Sequence, residues 1–447
     1  MPSCTSDPEL QLDGLAGPTH HFGGLSFGNR ASMTHAGWHS CPRQAALQGL
    51  AKMRQVLTLG VPQAVLPPLP RPDIGFLRQA GFSGDDTAVL EQAARRDPYL
   101  LRLAMSSAFM WTANTATVIP SCDSTDQRCH LVIANLIATP HRALEAHARA
   151  AMLRMLFPDL DRVVVHDPLP ASLALSDEGA ANHSRLCSPH QAQGFHLFVY
   201  GRAADIPPQV LPSRFPARQS REASQAVARL GHLPCEQALF VRQHATAIDA
   251  GAFHNDVVMV GDGDRILIHE SCFDEQAAVL KTLRQQVPTL LIHEVSQQDL
   301  PLDQAVSSYL FNSQLLRTPH GYVLLAPSES SSGAAFRVTQ RVLDSGFADH
   351  VYFQDLGQSM AGGGGPACLR LRLPLNQDEI ASMAPGVILN DTTIKDLETW
   401  VEHHYRDQLE PAELADPHLL HETRQALDAL TQLLNLGSLY PFQRDTL

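Results

Sequence analysis

The sequence predicts an α/β fold: helical periodicity and short apolar strands alternate along the chain, glycine or proline marks the hand-overs, and the strand–helix units are of similar size. From Pro42 to Leu59, Leu47, Leu50, Met53 and Leu57 recur at helical spacing, with proline near the start and Gly60 as the stop. A second helix is predicted over Ala143 to Phe157, where Leu144, Ala148, Met152 and Met155 share a side and Pro158 ends the run. The strand Arg162 to His166 follows it. The alternation returns with a helix from Ser220 to Leu230, stopped by Gly231, and the strand Ala238 to Val241. Asp256 to Val260 and Arg265 to His269 flank Gly261-Asp262-Gly263-Asp264, a hairpin signal. Leu290 to Val295 (strand), Asp303 to Leu316 (helix) and Tyr322 to Leu325 (strand) make another unit; Ala334 to Leu343 and His350 to Gln354 begin the next. Two C-terminal helices are expected over Thr392 to Leu409 and Pro417 to Leu436. Repeated units of this kind suit a doubly wound sheet or a circular array, and periodicity leaves both open.

Composition narrows the function classes. With 447 residues, 44% hydrophobic and 18% charged, the chain can bury a large core. A net charge of −13 argues against a nucleic-acid partner. Met1 to Asp7 show neither a basic nor an apolar leader, and no stretch approaches the ~20 apolar residues that span a bilayer, so a cytoplasmic protein off the membrane is expected. Eight scattered cysteines suit reduced thiols. No low-complexity linker divides the chain, and residues 1–447 are expected to form one domain.

Three constellations could carry chemistry. Gly362 to Gly365, Pro366 and Ala367 precede Cys368, and Leu369 to Leu373 alternate after it, which describes a tight loop delivering a thiol to a strand. Taken alone, such a cysteine is better read as a small buried apolar residue. Phe253-His254-Asn255-Asp256 places an imidazole and a carboxylate at a strand entrance, and Asp177 to His183 is a polar cluster among small residues. Asn114, His141, Arg142 and Arg218 lie beside apolar segments, where arginine suits carboxylate capture. His269-Glu270, His293-Glu294 and His421-Glu422 lack the second histidine of a zinc-protease helix, and Cys122, Cys129 and His130 fit no common zinc spacing and are placed in a loop. Gly261-Asp262-Gly263 is no dinucleotide fingerprint. Neither a metal nor a cofactor is expected.

Taken together, Gly17 to Asn29, Asp177 to His183, Phe253 to Asp256, Ser308 to Leu316, Gly363 to Arg372 and Leu433 to Arg444 resemble the N-succinylarginine dihydrolase family. The resemblance runs from about Leu12 to near the C-terminus. It implies a five-bladed, pseudo-symmetric α/β propeller of the pentein group. It also implies hydrolysis of N2-succinyl-L-arginine with two waters to N2-succinyl-L-ornithine, two ammonia and carbon dioxide, without a cofactor, in arginine catabolism. Carried over residue by residue, the catalytic set is Cys368, His254 and Glu178. The implied substrate contacts are Gly23, Gly24, Leu25, Ser26, Phe27, Gly28, Asn29, Arg30, Ala31, Ser32, Asn114, His141, Arg142, Arg218 and Asp256. Gly362 stands where the family has asparagine, so that side-chain contact is missing here. A small-molecule substrate is thus the expected partner; a homodimer remains open as the assembly. Two alternatives share the residues: another guanidine-modifying enzyme of this fold, a deiminase or amidinotransferase, and a non-catalytic binder of arginine derivatives.

Overall fold

Every residue of the first strand, Leu10–Gly14 (β1), is buried, as a strand covered on both faces requires. In the computed structural model, which describes residues 9–189 and 193–444, β1 lies between Gln63–Leu66 (β2), parallel to it, and Arg370–Leu373, antiparallel to it. Four further three-stranded sheets repeat this pattern. They comprise Ala116–Ile119 (β3), Cys129–Ile133 (β4) and Val163–His166 (β5); His183–Leu186 (β6), Phe195–Tyr200 (β7) and Ala238–Arg242 (β8); Met259–Asp262 (β9), Arg265–His269 (β10) and Leu291–Val295 (β11); and Gln314–Thr318 (β12), Gly321–Pro327 (β13) and His350–Gln354 (β14). Arg370–Leu373 is therefore β15. In each sheet the middle strand has one antiparallel neighbour and one parallel neighbour, and the parallel pair is linked by a crossover containing a helix.

The antiparallel partners face one another: β6 packs on β9, β9 on β12, and β15 on β3. They ring a common axis, so the repeats form a circular array, a five-bladed α/β propeller, rather than one doubly wound sheet. No helix among the described residues is long and apolar enough to cross a membrane.

Most predicted elements occur, with several ends shifted by one to five residues: helices span Pro42–Thr58, Ala146–Leu156, Arg221–Leu230, Gly333–Asp344, Asp391–His404 and Pro417–Leu433. Three expectations are corrected. The strand expected over Asp256 to Val260 begins only at Met259, because Asn255–Val257 make a 3-10 turn, and it runs on to Asp262. The helix expected over Asp303 to Leu316 ends at Ser308; Tyr309 turns left-handed (φ 53°), Leu310–Asn312 make a 3-10 turn, and β12 begins at Gln314. Leu310, Phe311, Leu315 and Leu316 satisfy either period in so short an apolar run. Cys129 and His130 lie in β4 and not in a loop, because that strand is buried at every position.

One buried ion pair ties the crossover of the first blade to its sheet. Lys52 on the helix Pro42–Thr58 donates to Asp13 of β1, both side chains are fully buried, and Asp13 also accepts from Gln63 Nε2 at 2.8 Å. Burial lowers the Lys52 pKa, with Asp13 acting against it. Lys52→Met should cost ~3–5 kcal/mol, since it strands a buried carboxylate. The urea midpoint measures this; an unchanged midpoint would mean that the pair contributes nothing.

Candidate active site

Each axial strand begins just after a tight turn that carries polar residues. Thr112–Asn114 leads into β3, Gly179–Asn182 into β6, Asn255–Val257 into β9 and Leu310–Asn312 into β12. A turn over residues 366–369 leads into β15. The propeller therefore delivers Asn114, Glu178, His254, Asp256, Asn312 and Cys368 to one end of the axis, although they are far apart in the chain.

Cys368 is 3% exposed. Its N–H donates to Gly365 O (3.1 Å) and Asn312 Oδ1 (3.3 Å), and its carbonyl accepts from Ala113 N (3.1 Å). Glycine is required at 365: a Cβ there would stand 2.7 Å from Asn312 Oδ1. Gly363 takes φ 103°, in the left-handed region, and its carbonyl accepts from Asn29 Nδ2 (2.9 Å) and Tyr309 Oη (3.1 Å). The glycine run is thus pinned on both sides of the thiol. Cys368 Sγ lies 3.6 Å from Asp256 Oδ2.

A second cluster stands beside it. His254 Nε2 is 2.7 Å from Glu178 Oε2, and Arg218 Nη1 is 3.9 Å from the same oxygen. Arg218 lies over the Phe253 ring and donates to Ser26 Oγ (3.1 Å) and Phe27 O (2.7 Å). Arg142 pairs with Glu145 (3.0 Å) and donates to Asn114 Oδ1 (3.1 Å), while Asn114 Nδ2 donates to Glu178 O (2.9 Å). Gln219 Oε1 accepts from Glu178 N (2.7 Å), so side chains brace Glu178 at both backbone groups.

The charges follow from these contacts. Burial alone would raise the Glu178 pKa, but the His254 hydrogen bond and the charges of His254, Arg218 and Arg142 outweigh it and hold the carboxyl below its usual range. Burial raises Asp256 despite the nearby His254. The Cys368 thiol is pushed well up, by burial first and then by the Asp256 charge. His141 is driven well down by burial and by Arg142 and Arg218, so it is a neutral imidazole. Glu178 Oε1, His254 Nδ1 and Asp256 Oδ1 are buried and make no hydrogen bond among the described residues. In a folded core such orphans mark polar atoms available to a ligand.

Gly23, Gly24, Leu25, Ser26, Ser32, His141 and Gly362 line a neighbouring cavity with Trp111. A Cβ at Gly362 would sit 2.9 Å from Trp111 Cζ2, so asparagine at this position requires the indole to shift. The rest of the 23–32 segment diverges. Asn29 caps the short helix Arg30–Thr34, on which Ala31 lies, and Phe27 is 54% exposed against Phe215. Arg30 reaches away to Asp303 (2.9 Å) at the surface. Sequence reasoning missed Asn312, Tyr309, Trp111 and Gln219 as contributors; three lie within or beside quoted segments, but only the turns reveal which way they face. No group of three or more His, Cys, Asp or Glu side chains is arranged to hold a metal ion among the described residues.

Five blades around an axis with a thiol, an imidazole and carboxylates at one end define the pentein class of α/β propellers. The N-terminal domain of ArgZ, a cyanobacterial arginine dihydrolase solved with its product bound, superposes with a TM-score of 0.51 at 15% identity, over 82% of this chain and 97% of that one. The profile of the succinylarginine dihydrolase family matches residues 6–443. The N-succinylarginine dihydrolase of Chromohalobacter salexigens is 49% identical over 440 residues, covering 97% of this chain and 98% of the relative. That of Paraburkholderia xenovorans is 48% identical over 443 residues, covering 98% and 99%. The chain belongs to the succinylarginine dihydrolase family.

Proposed function

We propose that this chain hydrolyses N2-succinyl-L-arginine to N2-succinyl-L-ornithine, two ammonia and carbon dioxide, with Cys368 as nucleophile. The observation that carries the reading is the placement of Cys368 Sγ 3.6 Å from Asp256 Oδ2, beside the 2.7 Å His254–Glu178 pair, in a member of this family. Asp256 Oδ1 and Glu178 Oε1 are unengaged carboxylate oxygens suited to a guanidinium. The substrate's cation, once seated there, offsets the Asp256 charge that keeps the thiol protonated.

The thiol proton passes to His254 and the thiolate attacks the guanidinium carbon, a poor electrophile because of resonance, so that the hydrolysis is divided into two covalent stages. His254 protonates the departing nitrogen, and ammonia leaves an S-alkylthiouronium on Cys368. Neutral His254 next takes a proton from water, whose oxygen adds to the same carbon and expels the thiolate, giving the succinylated ureido compound. A second thiolate attack expels the second ammonia and leaves a thiocarbamate. Water releases it as a carbamate, which loses carbon dioxide to give the amine. Glu178 holds the imidazole in place and balances its charge when it carries the proton.

Arg218 and Arg142 suit the ligand's carboxylates, with the amides of Gly23 and Gly24 close by. Free arginine lacks the succinyl carboxylate and would leave part of that cationic wall unanswered. A charged hydrogen bond contributes ~1.5–3 kcal/mol. Arg218→Ala should therefore raise KM ~10- to 150-fold with a smaller change in kcat, and an unchanged KM in steady-state assays would exclude Arg218 from the pocket. The deciding test of the reaction is stoichiometry: two ammonia per succinylornithine. One ammonia with succinylcitrulline as end product would make the enzyme a deiminase, and no ammonia would make the protein a binder.

A further inference from the structure

The axis holds a second polar space on the far side of the Cys368 floor. Its walls include Ala367, next to Cys368, and Asp256, which the active site shares, with Glu9, His183, Arg185, Arg370 and Arg372 away from that site. The cavity measures about 60 Å³, several times the ~10–15 Å³ that one water needs.

Its cations are not equally answered. Arg372 donates to Glu9 Oε2 (2.7 Å), to Gly261 O (2.9 Å) and to Asp262. Arg185 is paired with Asp123, which also accepts from His196 Nε2 at 2.8 Å. His183 is hydrogen-bonded to His196 (2.9 Å) and kept neutral by burial and by the charges of His196 and Arg372. Arg370 stands apart: its side chain makes no hydrogen bond or ion pair among the described residues, and its Nε is fully buried. Burial and the charge of Arg372 lower its pKa to about 10, which leaves the guanidinium ionised at neutral pH. Glu9 and Asp262 are both committed to Arg372. The carboxylates of Asp262, Glu9 and Asp13 act on Arg370 only through space, its buried Nε is without a hydrogen bond, and a guanidinium presents five donors to an incoming anion.

We propose that this axial cavity is a site for one small monovalent anion, of halide or simple carboxylate size, held by Arg370. The ligand enters from the side opposite the substrate and touches none of the catalytic set. Bromide is the probe. Crystals of the full chain soaked in sodium bromide should show an anomalous peak beside Arg370. In solution, bromide at constant ionic strength against sulfate should raise the Tm of the wild-type protein, and the shift should vanish in Arg370→Met. In anion-poor buffer Arg370→Met should be as stable as wild type or more so, because it removes an unanswered charge. A purely structural arginine predicts the opposite, a loss of stability in both buffers. Arg370→Lys, which keeps a charge without the planar fork, should retain a reduced shift. An empty cavity in the anomalous map, or the same bromide-dependent shift in Arg370→Met, overturns the proposal.

Discussion

Cys368→Ser should lower ammonia release by more than about 10⁴-fold while substrate affinity changes by only a few-fold. The magnitude follows from where the thiol sits. Burial and Asp256 already oppose ionisation of a thiol here, and a hydroxyl, far less acidic, meets the same opposition with no compensating softness toward the guanidinium carbon. Sγ lies 3.6 Å from Asp256 Oδ2, and oxygen is smaller than sulfur, so the substitution leaves the carboxylates and arginines of the pocket in place. The loss should fall on kcat and kcat/KM alike, the signature of a group that acts in the transition state. Calorimetric titration with succinylarginine checks the binding half. Near-normal turnover in the serine variant would remove Cys368 from the mechanism.

Asp256→Asn should separate thiol reactivity from catalysis, moving them in opposite directions. The sign is set by the Asp256 carboxylate, which stands 3.6 Å from Sγ and raises the thiol's pKa. Replacing it with a neutral amide lowers that pKa, so more thiolate is present at pH 7 and alkylation by iodoacetamide should speed up. In the wild-type protein the alkylation rate should climb into the alkaline range without a neutral plateau. Turnover should nevertheless fall by roughly 10²–10⁴-fold, because the guanidinium loses the carboxylate that orients it over the thiolate. A variant that is both slower to alkylate and active would refute the role given to Asp256.

The α/β class was legible because helix and strand periods differ and because Gly60, Pro158 and Gly231 stand at real boundaries. The short axial strands were less so. β3 is buried along its whole length and its sequence, Ala-Thr-Val-Ile, shows no clean alternation, while β15 pairs with β1 across some 360 residues, a separation that no local pattern records. The site residues carry the same lesson. The glycines before Cys368 and the position of His254 ahead of a strand made each a candidate that only the resemblance singled out, and that Asp256 rather than His254 lies against the sulfur depends on how two blades meet. Asn312 stood within a run whose apolar spacing also fits a helix, and Tyr309's left-handed turn, which exposes it to the Cys368 N–H, has no glycine or asparagine to announce it. Gly362 is explained only by the indole 2.9 Å from where its Cβ would be.

The pairing of β1 with β15 has a consequence for the order of events at birth. β15, which follows the turn that holds Cys368, is the last strand of the propeller to be synthesised, and its place beside β1 stays vacant until then. A chain that has emerged only as far as β14 holds His254, Glu178 and Asp256 but neither Cys368 nor the strand that completes the sheet around β1. Reactivity is acquired in one act, when the first strand of the protein receives the last.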